Sequence, residues 1–286
     1  MSRGRGMSAR RAKIMAVAAL AAGLTLAGCD TFDPRQPGVL EAYSAQQIFE
    51  RGEFELDRNR ADDAAYYFGE IERLYPYSEW AKRALIMQAA AYHQDRDYPN
   101  ARSAAQRFID FYPADTDAAY AQYLLALSYY DQIDEIGRDQ GLTFQALQAL
   151  RAVIEIYPDS EYAEPAILKF DLAFDHLAAK EMEVGRYYLK GGHYAAAVNR
   201  FRVVVEDFQT TAHTAEALHR LVEAYLSLGL TEEAQTAGAI LGYNYRSTPW
   251  YQDSYALLTG QGLNVEATGD NWLASIYRQV VRGEWL

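Results

Sequence analysis

One short phrase recurs five times along the chain, and its spacing constrains the fold more than any other feature. Each copy contains an aromatic residue, followed by proline in three of the five copies, and a Ser, Thr or Asp three positions later. The aromatic residues lie 37, 45, 51 and 37 residues apart and are Tyr75, Tyr112, Tyr157, Phe208 and Tyr245. A period of this length indicates stacked units that bury their apolar faces against one another, because one unit is too small to form its own core.

Each period is interpreted as a pair of helices. The polar residue after each aromatic residue is of a type that caps helix N-termini, and these residues are Ser78, Asp115, Ser160, Thr211 and Thr248. Proline cannot continue a helix and ends the preceding one. An alanine eleven positions before each aromatic residue lets the paired helices approach closely, and these are Ala64, Ala101, Ala146, Ala197 and Ala234. The predicted fold is an all-α solenoid of about five helix pairs over residues 41–260.

Two insertions and one substitution interrupt the regular repeat. The first insertion, in the third unit, covers 131–141 and predicts a loop. The second, in the fourth unit, keeps a helical pattern until Gly191 and Gly192, and predicts one long helix over roughly 161–190. In the first unit, Glu55 stands where the other units have an aromatic residue. We therefore expect local departures from a regular helix pair in these three units.

The C-terminal residues are predicted to close the stack. Residues 261–286 are interpreted as a polar linker and a capping helix over 272–282. Four residues of this helix fall on one apolar face, namely Trp272, Ile276, Tyr277 and Val280. The last repeat of a solenoid needs such a cover, because no further unit buries its outer side.

The N-terminus is typical of a secreted, lipid-anchored protein. Residues 1–13 carry five basic residues and no acidic one, and an apolar run follows over 14–27. This arrangement predicts a signal peptide over 1–28, with either Met1 or Met7 as the start. The end of the run, Leu-Ala-Gly-Cys, resembles the lipobox of bacterial lipoproteins, which implies acylation of Cys29 and cleavage before it. Residues 29–40 would then form an acylated tether.

Composition and spacing favour a binding protein over an enzyme. The net charge of the whole chain is −12, and removal of the basic signal peptide makes the remainder more acidic, which disfavours nucleic acid. The five histidines are scattered without metal-ligand spacing. We therefore expect no catalytic residues, no metal and no cofactor other than the covalent lipid on Cys29.

One predicted helix, 118–131, is apolar on a second face as well. Four residues at spacings of three, four and three form this stripe: Tyr120, Tyr123, Leu127 and Tyr130. It is interpreted either as core packing against the loop at 131–141 or as part of a peptide-binding groove. Corresponding positions of the neighbouring units would extend the groove, and these are Arg83, Ile86, His93, Leu168, Leu172 and Asp175.

The repeat resembles the tetratricopeptide repeat, whose aromatic residue, alanine and late proline fall on Tyr92, Ala101 and Pro113. This resemblance implies a right-handed superhelical solenoid of about five helix pairs with a capping helix at the C-terminus. It also implies that the offsets of the second stripe belong to the inner groove.

A narrower resemblance covers about 42–245. The phrases YPYSEWAKRA and IYPDSEYAEPA, and above all the segment HLAAKEMEVGRYYLKGGHYAAAVNRFRVVVEDF, resemble the BamD (ComL-type) lipoproteins of the outer-membrane β-barrel assembly machine. The resemblance implies a periplasmic subunit on the outer membrane, with N-terminal repeats associated with substrate and C-terminal repeats with the complex. Its partners would be the barrel-forming subunit BamA, other lipoproteins of the complex and unfolded outer-membrane proteins.

Two alternatives stay open from the sequence. Asp30, directly after Cys29, resembles the enterobacterial signal that retains lipoproteins at the inner membrane. A different periplasmic tetratricopeptide lipoprotein, an adaptor for cell-wall and envelope enzymes, is the alternative function. Such an adaptor would lack the segment over 176–208.

Overall fold

The computed structural model describes residues 40–135, 138–267 and 272–282, and within the last range the side chains of 272–276 and 278. The chain divides into two units, 1–44 and 45–286. Of the first unit, only the part from residue 40 is described, and it contains a short 3-10 helix, Leu40–Ala42. The predicted signal peptide, the predicted acylation site at Cys29 and the neighbouring Asp30 lie outside the described residues.

The described part of the second unit is built from twelve α-helices and contains no strand. The helices are α1 (Ala45–Asp57), α2 (Ala61–Leu74), α3 (Glu79–Gln94), α4 (Tyr98–Phe111), α5 (Ala118–Tyr130), α6 (Gly141–Ile156), α7 (Ala163–Lys190), α8 (Tyr194–Asp207), α9 (Thr214–Leu228), α10 (Thr231–Asn244), α11 (Pro249–Gly260) and α12 (Trp272–Arg282). No described helix is both long enough and apolar enough to cross a membrane.

Packing follows the order of the chain. Helices pair as α1 with α2, α3 with α4, α5 with α6, α7 with α8 and α9 with α10, and each second helix also packs on the first helix of the next pair. First helices of successive pairs lie side by side, from α1 with α3 to α9 with α11. The predicted all-α, tetratricopeptide-like solenoid is confirmed. The last copy of the phrase begins α11, which is the first helix of an incomplete sixth unit.

The repeated phrase forms the same turn in every copy. The aromatic residue is the C-cap of the second helix and donates its backbone N–H to the carbonyl four residues earlier, as Tyr75 does to Ile71 at 2.8 Å. The polar residue three positions later donates its backbone N–H to the carbonyl of the aromatic residue, at 2.9–3.1 Å in all five copies. These two bonds reverse the chain direction and direct it into the next pair.

The missing prolines change this turn only slightly. The backbone ψ angle of the aromatic residue is 50–52° where proline follows, at Tyr75, Tyr112 and Tyr157. Where proline is absent, ψ falls to 36° at Phe208 and 29° at Tyr245. Proline restricts the residue before it to larger ψ values, yet both hydrogen bonds form without it. The hydrogen bonds, and not the proline ring, therefore define the turn.

The N-cap prediction is correct for two helices and wrong for three. Side-chain oxygens of Ser78 and Thr248 accept from the backbone N–H of Ala81 and Tyr251, at 3.2 and 3.4 Å. The helices after the other three polar residues begin two residues later than predicted, because an additional turn precedes each of them. These three residues are Asp115, Ser160 and Thr211.

The long helix predicted for the fourth unit is confirmed. Helix α7 has 28 residues and begins at Ala163, two residues after the predicted start. It ends at Lys190, where Gly191 donates its N–H to the carbonyl of Tyr187 and Gly192 adopts a φ of 75°. A positive φ costs glycine little because it lacks a Cβ atom. The loop predicted at 131–141 is non-helical over 131–135 and 138–140, and α6 begins at its last residue, Gly141.

In the first unit, the charged residue Glu55 occupies the position that is aromatic in the other units. The Glu55 side chain is 2% exposed, and its carboxylate lies 2.6 Å from the Arg51 guanidinium and 3.5 Å from that of Arg60. A buried carboxylate needs such partners, because an unpaired charge in the core costs several kcal/mol. Two arginines reaching in from the surface therefore let this unit keep a glutamate where its neighbours have rings.

Small residues let the two helices of a pair cross closely. All five predicted crossing alanines are fully buried. A Cβ atom on Gly52 would lie 2.6 Å from the Phe68 ring, and one on Gly185 would lie 2.4 Å from the Phe201 ring. These glycines therefore make room for the phenylalanine that lies sixteen residues later on the partner helix. At the same spacing the second unit has two fully buried alanines, Ala89 and Ala105. Gly238 on α10 instead makes room for the next unit, because a Cβ atom there would lie 2.6 Å from Leu258 of α11.

The C-terminal helix covers the last complete pair. Helix α12 packs on α10, and Trp272 donates its indole N–H to the Tyr225 hydroxyl at 3.0 Å. Ile276 is buried, as predicted, and Leu273 is fully buried although the predicted apolar face omitted it. The side chains of Tyr277 and Val280, the other two members of that face, lie outside the described residues.

Candidate functional site

Two tyrosines of the predicted stripe join the third unit to the fourth. Tyr120 and Tyr123 on α5 are half-buried, and their rings lie 5.2 and 5.4 Å from the ring of Tyr162, at interplanar angles of 30° and 31°. Tyr162 directly precedes α7. The two tyrosines thus pack on the next unit with one side of the ring and remain partly open to solvent.

These phenol groups are poor acids. Burial raises the pKa of Tyr120 and of Tyr123 above the usual 10.0. Burial, and after it the charge of Glu161, raises the pKa of Tyr162 to about 12. All three hydroxyls therefore stay protonated at neutral pH and can donate a hydrogen bond as well as accept one.

The other two members of the stripe lie one and two turns farther along α5. Leu127 is half-buried, and Tyr130 lies under the Lys169 ammonium, whose nitrogen is 4.5 Å from the ring centroid. Burial raises the pKa of Tyr130 too. Tyr162 and Lys169, the partners of the stripe, belong to the fourth unit. One side of the stripe therefore packs on the fourth unit and the other contributes to a surface, and binding of a peptide by that surface stays a prediction.

Helix α7 contributes the most exposed apolar residues of this surface. Leu168 and Leu172 lie one turn apart and are 61% and 62% exposed. Ile167, which the predicted set omitted, is 44% exposed beside them. We use the term first-helix face for the surface formed by the stripe on α5 and these α7 residues. Exposed leucines one turn apart on a helix are a common feature of protein-binding surfaces.

Two predicted groove residues on α3, Arg83 and Ile86, differ in their exposure to solvent. Arg83 is exposed, and its guanidinium carbon lies 4.8 Å from the Phe49 ring and 4.9 Å from the Trp80 ring. Ile86 is only 6% exposed and belongs to a core cluster with Leu124 of α5. The prediction that Ile86 lines a groove is therefore wrong, because α3 turns this residue towards the neighbouring first helix.

The last two predicted groove residues, His93 and Asp175, contact the neighbouring unit. His93 on α3 lies with its Nε2 atom 3.0 Å from the Asp131 carboxylate, just after α5. Asp175 on α7 lies 3.3 Å from His213 Nε2 and accepts the backbone N–H of Ala212 at 3.3 Å. Both side chains help to fix the spacing between first helices.

A second concave site, which the sequence analysis missed, lies on the side of the second helices. Helices α6 and α8 both pack on α7, and a cleft of about 490 Å³ opens between them. Its walls include four phenylalanines, Phe144, Phe170, Phe174 and Phe208. The rings of Phe174 and Phe208 are 4.8 Å apart, and Phe144 at the cleft is 56% exposed. Phe170 and Phe174 gave the only sequence signal, as two aromatic residues one turn apart beside the insertion.

One buried pair has the residue types of a hydrolase. The Ser254 hydroxyl on α11 lies 2.8 Å from His219 Nδ1 on α9, and His219 Nε2 lies 3.7 Å from the Glu223 carboxylate. Ser254 is fully buried and His219 is 4% exposed. A substrate therefore has no access to this serine, and the pair serves to join the two helices. Within the described ranges, no three His, Cys, Asp or Glu side chains are placed to hold a metal ion.

Comparison with known proteins gave concordant matches. Residues 41–240 match the family model YfiO, described as an outer membrane lipoprotein. The outer membrane protein assembly factor BamD of Caulobacter vibrioides is 46% identical over 247 residues, which cover 86% of this chain and 81% of that protein. BamD of Rickettsia prowazekii is 40% identical over 241 residues, covering 84% and 95%.

A tetratricopeptide protein of Thermus thermophilus is among the similar solved structures. It is 20% identical, the alignment covers 75% of this chain and 98% of that chain, and the TM-score is 0.36.

Proposed function

The chain belongs to the YfiO family of outer membrane lipoproteins, and on this basis we propose that it is a subunit of the machinery that assembles outer-membrane β-barrel proteins. In this proposal the protein acts by binding and not by catalysis. It is held at the periplasmic side of the outer membrane by lipid on Cys29. Its partners are the barrel-forming subunit BamA, other lipoproteins of the complex and unfolded outer-membrane proteins.

The first-helix face is the observation that carries the proposal. The described part of the solenoid is helical throughout and offers no sheet edge to an unfolded strand, so binding must use side chains. Tyr120, Tyr123 and Tyr130 offer rigid aromatic surface with hydroxyls that can bond the free backbone groups of a strand. Leu168 and Leu172 add exposed apolar area beside them. We assign the unfolded substrate to this face.

The aromatic cleft between α6 and α8 supports a second contact. It lies on the side of the second helices and contains an exposed ring, Phe144. A cleft of this size takes one or two large apolar side chains of a folded partner. We assign it to another subunit of the complex, so that substrate and subunit are bound by different sides of the same helix pairs.

The test of the substrate site is Tyr123→Ala. Tyr120 and Tyr162 remain stacked in this variant, so the protein should stay folded with a small loss of stability. Affinity for a peptide copied from the C-terminal strand of an outer-membrane barrel should fall by about 1–2 kcal/mol, roughly tenfold. Thermal melting and fluorescence titration of the full-length variant give both values.

Tyr77→Ala is the matched control, because Tyr77 is fully exposed in a turn away from the stripe. It removes the same atoms and should change neither value. A core position would instead cost about 3–5 kcal/mol of stability on truncation. Unaltered peptide affinity in Tyr123→Ala would remove the first-helix face from the proposal.

A further inference from the structure

The first half of α7 carries a stripe that is both apolar and acidic. Its members are all exposed, and they are Glu164, Ile167, Leu168, Asp171 and Leu172. At 100° per residue they fall within an arc of about 140° on one side of the helix. We call this set the α7 stripe. Three of its side chains are apolar and the other two are negatively charged at neutral pH.

No positive charge on this helix segment balances the two acids. Lys169 is the only Lys or Arg between residues 161 and 175, and its ammonium lies 4.5 Å from the Tyr130 ring on α5. Among the described residues, neither Glu164 nor Asp171 lies in an ion pair. The α7 stripe thus presents apolar area and uncompensated negative charge together.

We propose that the α7 stripe binds an extended protein segment that combines apolar and basic side chains. Complementary charge favours such a segment over an acidic one of equal hydrophobicity. The same negative charge opposes docking on an anionic lipid surface. The inference rests on the proposed function, since it defines the chemistry of the substrate that the first-helix face selects.

The spacing of the stripe fits an extended chain. Leu168 and Leu172 are separated by about 6 Å along the helix axis, from a rise of 1.5 Å per residue. Alternate residues of an extended strand lie about 6.6 Å apart on one side. Two alternate apolar residues can therefore contact the two leucines. Glu164 lies another 6 Å or so before Leu168, which places a basic residue two positions from the apolar pair.

The experiment compares two synthetic peptides of twelve residues. Both alternate leucine with serine at their centre, and one carries lysines at both ends where the other carries glutamates. With the full-length wild-type chain at low salt, the lysine peptide should bind about tenfold more tightly by fluorescence anisotropy. The preference should shrink as salt is raised, because the stripe is exposed and its charges are screened.

Two variants separate the contributions. The double variant Glu164→Lys, Asp171→Lys should lose the preference for the lysine peptide. Leu168→Ser should weaken both peptides to a similar degree. Glu183→Lys is the control for each single lysine substitution of the stripe, since it makes the same charge reversal at an exposed position on α7 outside the stripe. It should leave the preference unchanged.

The possible failures are distinguishable. Equal binding of both peptides to the wild-type chain, with Leu168→Ser still weakening them, would overturn the charge selection and leave the first-helix face as a binding site. A charge preference that survives the double lysine variant would overturn the assignment to the α7 stripe. Binding of neither peptide would overturn this inference and the assignment of substrate to the face as well.

Discussion

Replacing Gly185 with alanine tests the register of the helix crossings. The new Cβ atom would lie 2.4 Å from Cε1 of Phe201 and 2.8 Å from two other ring carbons, whereas carbon atoms in contact lie at about 3.5–4.0 Å. The ring must therefore move by about 1 Å. Phe201 is fully buried among the residues of a large core cluster and has little room to do so.

The magnitude follows from two opposing effects. Overpacking of a core costs about 1–3 kcal/mol, and exchanging glycine for alanine within a helix recovers about 1 kcal/mol. The 2.4 Å approach places the overpacking at about 2–3 kcal/mol, so we expect Gly185→Ala to lower the free energy of unfolding by about 1–2 kcal/mol. For a chain of this size, that lowers Tm by about 2–8 °C. Thermal and urea unfolding measured by circular dichroism provide the comparison.

The controls follow from the same geometry. At Gly260, the last residue of α11, an added Cβ atom would have no neighbour within 4 Å, so Gly260→Ala should be neutral or slightly stabilising. Phe201→Leu removes Cε1 and Cζ, two of the three ring carbons that clash, so the double variant with Gly185→Ala should be more stable than the sum of the single effects predicts. Strictly additive effects, or a Gly185→Ala protein as stable as wild type, would refute the crossing assignment.

Three further predictions address other parts of the chain. Ala197→Leu should overpack the same crossing and cost about 1–3 kcal/mol of stability; an unchanged Tm would mean that the repeat register is misassigned. Burial lowers the pKa of His219 below its usual 6.5, so the unfolded chain takes up a proton at higher pH than the folded one, and stability should fall as pH drops from about 7 to 5. The fall should be smaller in His219→Gln, and equal pH profiles of Tm would contradict this reasoning. Cys29→Ser should release the protein from washed membranes and abolish labelling by a palmitate analogue; a labelled, membrane-bound variant would exclude Cys29 as the anchor.

The helix pairs were predictable because the repeat fixes which residues must be small, aromatic or turn-forming. Ala101 and Ala197 occupy crossings whose geometry depends only on neighbouring helices, so sequence spacing was enough to place them. The length of α7 was also predictable, because its helical pattern continues to the glycine pair at Gly191. Residue types that recur at the same position of each unit can be recognised from a single sequence.

The surfaces were less predictable because they depend on how successive units face each other. Ile86 and Leu168 both fit the groove pattern, yet one is covered by α5 and the other is exposed. Periodicity shows on which side of its own helix a residue lies. Whether that side is buried depends on which other helix packs against it. The aromatic cleft between α6 and α8 was missed for the same reason, since its walls come from three helices.

The exchange of large and small residues at the crossings has a consequence for how such a chain can evolve. Gly52 and Gly185 each leave room for a phenylalanine ring on the partner helix, Phe68 and Phe201, whereas the second unit has Ala89 and Ala105 at these positions. Joining the second helix of the first or fourth unit to a first helix that lacks the glycine would create a clash, and the reverse exchange would create a void. Only whole helix pairs can be duplicated, deleted or transferred intact. The heritable module of this protein is therefore the pair, because a helix with the glycine fits only a helix that carries the matching phenylalanine.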